Sequence, residues 1–409
     1  MKALYSLLIA CSVLPVAACA AEASAMALDD QATVVEGNNE FALALYGQLR
    51  TQGGNLFFSP ESVSTALAMA YAGARGDTAA EMAKTLHFTL PPERLHPAMG
   101  ALLAGLNAPH DAYQLRVANA LWAERDYKFL DDFLKLTASD YGAGFNPVDF
   151  KGATEAARLT INQWVEQKTD SKIKDLLQPG MVNPMTRLVL TDAIYFKADW
   201  QSQFQQAQTE NENFYLSDER KNVKAPLMHC TGGYNYFDGG TFQALEMPYK
   251  SRDLSMIVFL PKDMDGLPAF EQSLTAPNVR QWLSQLQPVP RVIVTFPKFK
   301  VTEQLELGST LGAMGMPSAF AMSAADFSGM TGNRELFLSA VIHKAFIDVN
   351  EVGTEAAAAT AAVMVGMAMR APGPTPPPEF RADHPFVFVI RDNRSGGILF
   401  MGRLTDPTK

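Results

Sequence analysis

Cysteine is nearly absent: the 409-residue chain carries three, at Cys11, Cys19 and Cys230. A disulfide-stapled scaffold is therefore excluded. Positive charge is also short, with 34 Lys and Arg against 43 Asp and Glu and a formal net charge of −9. Phosphate contacts need clustered basic side chains, so nucleic acid is excluded as a general partner. Short runs at 172 to 174 and 298 to 300 read as solvated edges of helices or strands. The six histidines are dispersed, and there is no HExxH, no paired-cysteine spacing, no GxSxG and no GxGxxG. No metal site, no cofactor and no local enzyme signature follow from such a chain. No low-complexity linker divides residues 36 to 370. With 47% apolar and 19% charged residues, one large globular domain is the economical reading.

The first 18 residues behave as an export signal, with Lys2 ahead of an apolar run too short to span a bilayer comfortably. The run ends Leu14-Pro15-Val16-Ala17-Ala18-Cys19, which resembles a bacterial lipobox. Cleavage before Cys19 would leave its thiol to carry the lipid. Acyl chains, at about 0.8 kcal/mol per buried methylene, would then tether the protein to a bacterial membrane, the outer membrane in first place. The alternative is ordinary cleavage after Ala20, giving a periplasmic or secreted protein. Residues 19–35 read as the lipidated cysteine and an Ala-rich tether, and 36–409 as the domain. Cys230 is then the sole remaining cysteine, with the role of a small buried hydrophobe.

The early part of the domain reads as helical. Asn39 is expected to cap a helix that buries Phe41, Leu45 and Leu49, and Ser59-Pro60 supplies a cap followed by Pro at the first helical position. Val63, Ala66, Leu67, Ala70 and Tyr71 then form one buried stripe. Residues 153 to 168 repeat Ala157, Ile161, Trp164 and Val165 at helical spacing. Later segments at 188–196, 255–261, 291–299, 386–392 and 398–404 are short, β-branched or aromatic, and read as strands. The run from Asp392 to Gly397 turns the last two into a hairpin. Helices first and strands later indicate an α+β domain.

One segment does not fit a quiet fold. Residues 353 to 370, GTEAAAATAAVMVGMAMR, carry neither charge nor proline between Glu355 and Arg370, and then run into Pro372, Pro374 and Pro376 to Pro378. Read as a strand, Thr354, Ala356, Ala358, Thr360, Ala362, Met364 and Gly366 share one uncharged face of mostly small side chains. Such a face can slide between existing strands. A permanent buried strand or a short core helix fits the composition as well, while the proline run favours a long surface excursion.

NEVGTEAAAAT at 350 to 360 closely resembles the hinge of inhibitory serpins, the serine protease inhibitor family. NLFFSPES (55 to 62), WVEQKTDSKIKDLL (164 to 177), DAIYFKADW (192 to 200), MPYKSRDLSMIVFLPKD (247 to 263), HKAFIDV (343 to 349) and ADHPFVFVIRDNRSGGILFMGRLTDP (382 to 407) resemble further blocks of that family in the same order. The resemblance covers residues 36 to 409. It implies a serpin fold with three β-sheets, eight to nine helices and an exposed reactive-centre loop at about 353–378.

It also implies a partner and a mechanism: a target serine protease, or a cysteine protease by the same chemistry, attacks the loop and is trapped as an acyl-enzyme when the cut loop inserts into the central sheet. The hinge would comprise Glu351, Gly353, Thr354, Glu355, Ala356, Ala357, Ala358, Ala359 and Thr360. Counting along it places the reactive bond at Met367–Ala368, suited to elastase-like or chymotrypsin-like enzymes, with Arg370–Ala371 and trypsin-like targets as the alternative. Asn55, Ser59, Ser62 and His343 match the shutter beneath the sheet, and Trp200 the breach at its top. Asp192 stands where the family usually has Asn, and is expected to accept a hydrogen bond from His343. A monomeric inhibitor with no cofactor, and membrane contact only through a lipid, is the expectation; the alternative is a non-inhibitory serpin that binds or stores.

Overall fold

The computed structural model describes residues 16–142, 145–216, 221–354 and 376–409. The signal-like residues 1 to 15 and the loop from 355 to 375 lie outside the described residues.

An uninterrupted helix, Val16–Leu49, is the first of the described elements. Asn39 is inside it rather than at its start, because the Ala-rich stretch ahead contains no breaker and favours helix. The Asn39 side chain instead donates to Gly396 O at 3.1 Å and accepts from Ile398 N at 2.8 Å, pinning the helix to the C-terminal hairpin. Phe41, Leu45 and Leu49 are buried as their spacing predicts. The packed body begins before residue 36: Asp30, Val34 and Val35 are buried, and Arg94 holds the Asp30 carboxylate.

Ser59 caps the helix Pro60–Tyr71, its hydroxyl accepting from Ser62 N at 3.2 Å, with Pro60 at the first position. The helix Thr154–Lys168 buries Ala157, Ile161 and Val165, and Trp164 meets Trp122 edge-on at 5.5 Å.

The strands form a six-stranded and a nine-stranded sheet. The smaller runs in the order Phe299–Glu306, Leu338–Val349, Gly353–Thr354, Leu188–Asp199, Tyr113–Glu124, Phe145–Val148. The larger is continuous through the long strand Asn222–Asp238, whose register against Gln287–Pro297 shifts between Gly232 and Tyr234. That long strand serves a smaller sheet at each end, and counted with the six-stranded sheet these make the three sheets that the resemblance implies. The hairpin Phe386–Asp392 to Ile398–Leu404 is in place.

Two features depart from the expectation. There are ten α-helices among the described residues rather than eight or nine, the surplus being short pieces such as Leu267–Gln272 and Ser328–Thr331 that offer too few turns for a periodic signal. A twelve-residue strand, Tyr113–Glu124, also interrupts the helical first part. Its Ala118, Ala120 and Ala123 favour helix in isolation, but all three are buried in the sheet.

Between the sheets lies an apolar layer in which Phe57 stacks on Phe400 at 5.2 Å and Phe196 meets Phe400 at 5.5 Å. This layer underlies the two central strands, Leu188–Asp199 and Leu338–Val349.

Candidate functional site: a hinge above a closed seam

The Leu188 and Leu338 strands are parallel and pair directly from Leu188↔Leu338 to Tyr195↔Phe346. Above that point they part. Into the opening fit Gly353 and Thr354, antiparallel to both neighbours: Gly353 opposes Asp199, and Thr354 opposes Ala198 on one side and Val349 on the other. The first two residues of the uncharged loop are therefore already strand.

Their chemistry suits the place. A Cβ on Gly353 would stand 2.1 Å from Ala198 O and 2.6 Å from Asp199 Cα, so only glycine fits. Thr354 is fully buried, and its hydroxyl shares a 2.8 Å hydrogen bond with Tyr249 OH. Tyr249 stacks on Trp200 at 4.6 Å, and Trp200 Nε1 donates to Asn350 O at 3.0 Å. The backbone turn into the hinge is tied by Trp200 N to Val352 O at 2.8 Å and Asn350 N to Gly353 O at 2.9 Å.

Glu351 anchors the same corner from outside the sheet. Its carboxylate is 2.8 Å from Lys298 Nζ and accepts from Thr209 Oγ1 at 2.8 Å. Burial pushes this carboxyl up, but the bonds from Lys298 and Thr209 outweigh it and hold it below the usual carboxylate range.

Halfway down the closed seam sits a buried polar cluster. Ser59 Oγ donates to Leu399 O at 2.7 Å, and Ser59 N donates to His343 Nε2 at 3.1 Å. Ser62 Oγ lies 2.5 Å from Asp192 Oδ1 and 2.8 Å from Asn119 Oδ1, and Asn119 Nδ2 returns a bond to Ser62 O at 2.9 Å. Because Nε2 accepts from the Ser59 amide, the His343 proton belongs on Nδ1. That atom faces Asp192 Oδ2 at 3.0 Å. The two are not aligned as a hydrogen bond, and among the described residues neither has another partner. The expected pair is thus brought together, but as an off-line contact across the seam rather than a formed bond.

Asn55 is elsewhere. Its side chain accepts from Thr405 N and Asp406 N and donates to Asp406 O at 2.7 Å, fastening the C-terminus rather than touching the cluster. Asn119, Tyr249, Lys298 and Thr209 contribute contacts that sequence reasoning missed, since each reaches the site from a distant segment. Cys230 is partly buried with Sγ 3.2 Å from Tyr234 OH, and burial pushes its thiol up. Glu355, Ala356, Ala357, Ala358, Ala359, Thr360, Met367, Ala368, Arg370 and Ala371 lie outside the described residues.

A sheet whose two central parallel strands already hold the start of a long uncharged loop defines a strand-accepting domain. This chain belongs to the serpin family: the family model described as "Serpin (serine protease inhibitor)" matches residues 36–407. Serpins are protease inhibitors, not enzymes. The chain is 42% identical over 378 residues to the human (Homo sapiens) leukocyte elastase inhibitor, covering 90% of this chain and 98% of that one. Its fold is similar to uncleaved ovalbumin, with a TM-score of 0.82 and 28% identity over 92% of this chain and all of the other. It is also similar to a serpin of the insect Tenebrio molitor described as highly specific, with a TM-score of 0.79 and 32% identity over 91% of this chain and 98% of that one.

Proposed function

We propose that this protein is a single-use inhibitor of elastase-like serine proteases, with Met367–Ala368 as the bait bond. The observation that carries the reading is the register of the hinge. Thr354 opposes Ala198 and Val349. Were the strand continued six residues in the same register, Thr360 would fall between Asp192 and His343, which are themselves directly paired. Ten residues beyond Thr354, Met364 would reach Leu188, the far end of its strand. The flanking strands are twelve residues each, so 353 to 364 would fill the seam on insertion. At about 3.3 Å per residue that is roughly 40 Å of new strand.

Insertion exchanges one parallel ladder for two antiparallel ones, whose hydrogen bonds are the better aligned. On the core side, Ala356 and Ala358 would enter beside Phe196, Ile194, Ile347 and Ala345, a fully packed apolar layer that admits only small side chains. The uncharged, mostly small residues of the loop meet this steric demand.

The chemistry begins in the protease. Its serine oxygen bonds to the Met367 carbonyl carbon, the bond to Ala368 nitrogen breaks, and the amine leaves with a proton from the protease histidine. The protease is then joined by an ester to a segment free to enter the seam, and water must compete with insertion. The elastase-like preference rests on the unbranched apolar Met367 and on likeness to a leukocyte elastase inhibitor. Export, lipid attachment at Cys19 and action as a monomer complete the reading; the lipobox-like run before Cys19 supports the attachment.

Mixing the protein with pancreatic or neutrophil elastase and resolving the products in SDS tests it. A covalent complex, with the released peptide beginning at Ala368, is expected. Release of a peptide beginning at Ala371 would move the target to trypsin-like enzymes. A loop cut without any complex would assign the protein to non-inhibitory binding or storage instead.

A further inference from the structure

Between the N-terminal helix, the helix Pro92–Asn107 and the turn of the C-terminal hairpin lies a cavity of about 400 Å3. Its walls are largely apolar, with Leu28 and Val35 on one side, Leu102 and Leu106 on another, and Leu399 beneath. Glu61, in the first turn of the helix Pro60–Tyr71, also lines it.

Among the described residues the Glu61 carboxylate has neutral hydrogen-bond partners only. Asn38 Nδ2 donates to its Oε2 at 2.5 Å and Thr65 Oγ1 to its Oε1 at 3.2 Å. Asn38 is fixed in that orientation by Ser64, whose hydroxyl donates to Asn38 Oδ1 at 2.7 Å. Among the described residues no cationic side chain acts on Glu61. Arg394, on the rim of the same cavity, is engaged by Asp392 at 3.0 Å and by Tyr113 OH at 3.3 Å. Burial raises the Glu61 carboxyl, the Asn38 and Thr65 bonds pull it back only in part, and nearby Asp192 raises it further.

A carboxylate offers about four lone-pair positions, and two are used here. An ammonium group supplies three N–H donors together with the missing charge. An anionic ligand would be repelled by Glu61, and a neutral one would cover the carboxylate without compensating it. The volume falls in the range that holds a small organic molecule.

We propose that this cavity is a binding site for small amphipathic amines, with the ammonium on Glu61 and the apolar body against Leu102, Leu106 and Leu399. It adjoins the seam through Leu399 and the neighbouring Asp192, but it does not depend on the inhibitory reading.

Calorimetric titration of the full chain with phenethylamine and with 2-phenylethanol, which differ in the ammonium alone, tests the assignment. The amine should bind at least tenfold more tightly than the alcohol, and Glu61→Gln should remove about that tenfold advantage. Gly105→Leu provides a second variant that keeps Glu61. Gly105 lines the cavity, and a Cβ there meets nothing within 4 Å, so a side chain can start from this position toward the space the amine would take, and leucine favours helix over glycine. It should abolish amine binding while leaving the unfolding temperature unchanged or higher. Equal affinity for amine and alcohol, undiminished amine binding by either variant, or no binding at millimolar amine would each overturn the proposal.

Discussion

His343 and Asp192 occupy directly paired positions of two parallel strands, and their side chains, both fully buried, meet at 3.0 Å across the line along which the sheet must part. His343 Nε2 is committed to the Ser59 amide and Asp192 Oδ1 to the Ser62 hydroxyl, so the seam is held by one helix end.

Asp192→Asn should weaken the seam. The amide keeps the shape of the carboxylate but exchanges the charge-assisted bond from Ser62 for a neutral one, costing about 1 kcal/mol. The urea midpoint of the variant decides this, and an unchanged midpoint would take Asp192 out of the closure of the seam.

Thr360→Arg should convert the inhibitor into a substrate. Insertion in the hinge register would bring residue 360 between Asp192 and His343, where a guanidinium would have to be buried beside an imidazole in a fully packed seam. Complete cleavage by the target enzyme with loss of the SDS-stable complex is expected, whereas Thr360→Ser should still trap.

Lys298→Ala should loosen the hinge. Glu351 would keep Thr209 but lose its cation, costing about 1–2 kcal/mol at neutral pH for a pair that is only partly buried. The Glu351 carboxyl is held below its ordinary range, so its contribution is present above the unfolded carboxyl pKa of about 4.3 and fades as pH falls through the lowered native value. The difference in urea midpoint between wild type and variant should therefore shrink toward pH 3.

His96 sets a separate acid limit. It is buried against Tyr141 OH at 2.6 Å, and burial lowers its pKa to about 4 although Asp140 raises it somewhat. The unfolded chain takes up this proton first, near pH 6.5, so stability is whole above that value and declines down to about pH 4. A shift of this size is worth about 3 kcal/mol. Thermal unfolding across that window should fall less steeply in His96→Gln.

Much of this was readable in the residues. Ser59-Pro60 announces a cap, the alternation and turn residues of 386 to 404 announce a hairpin, and the small uncharged face after Gly353 announces a segment fit for a sheet. Contacts between distant segments left no such mark. Nothing local in Tyr249, Lys298 or Asn119 shows that one will hold Thr354, another Glu351 and the third Ser62, because each meets its partner only through the fold. Asn55 shows the reverse: its block is legible, yet its side chain serves the C-terminus.

The equal length of the two central strands makes the seam a ruler as well as a slot. The zero mark is Thr354, already seated, and the last graduation is Leu188. The protease travels only as far as the count of residues between mark and bait allows. One residue inserted between Thr354 and Thr360 would flip every later side chain to the opposite face of the strand. Two would restore the faces but leave the captive enzyme two residues farther beyond the filled seam, so inhibition should respond to loop length by parity before it responds to distance.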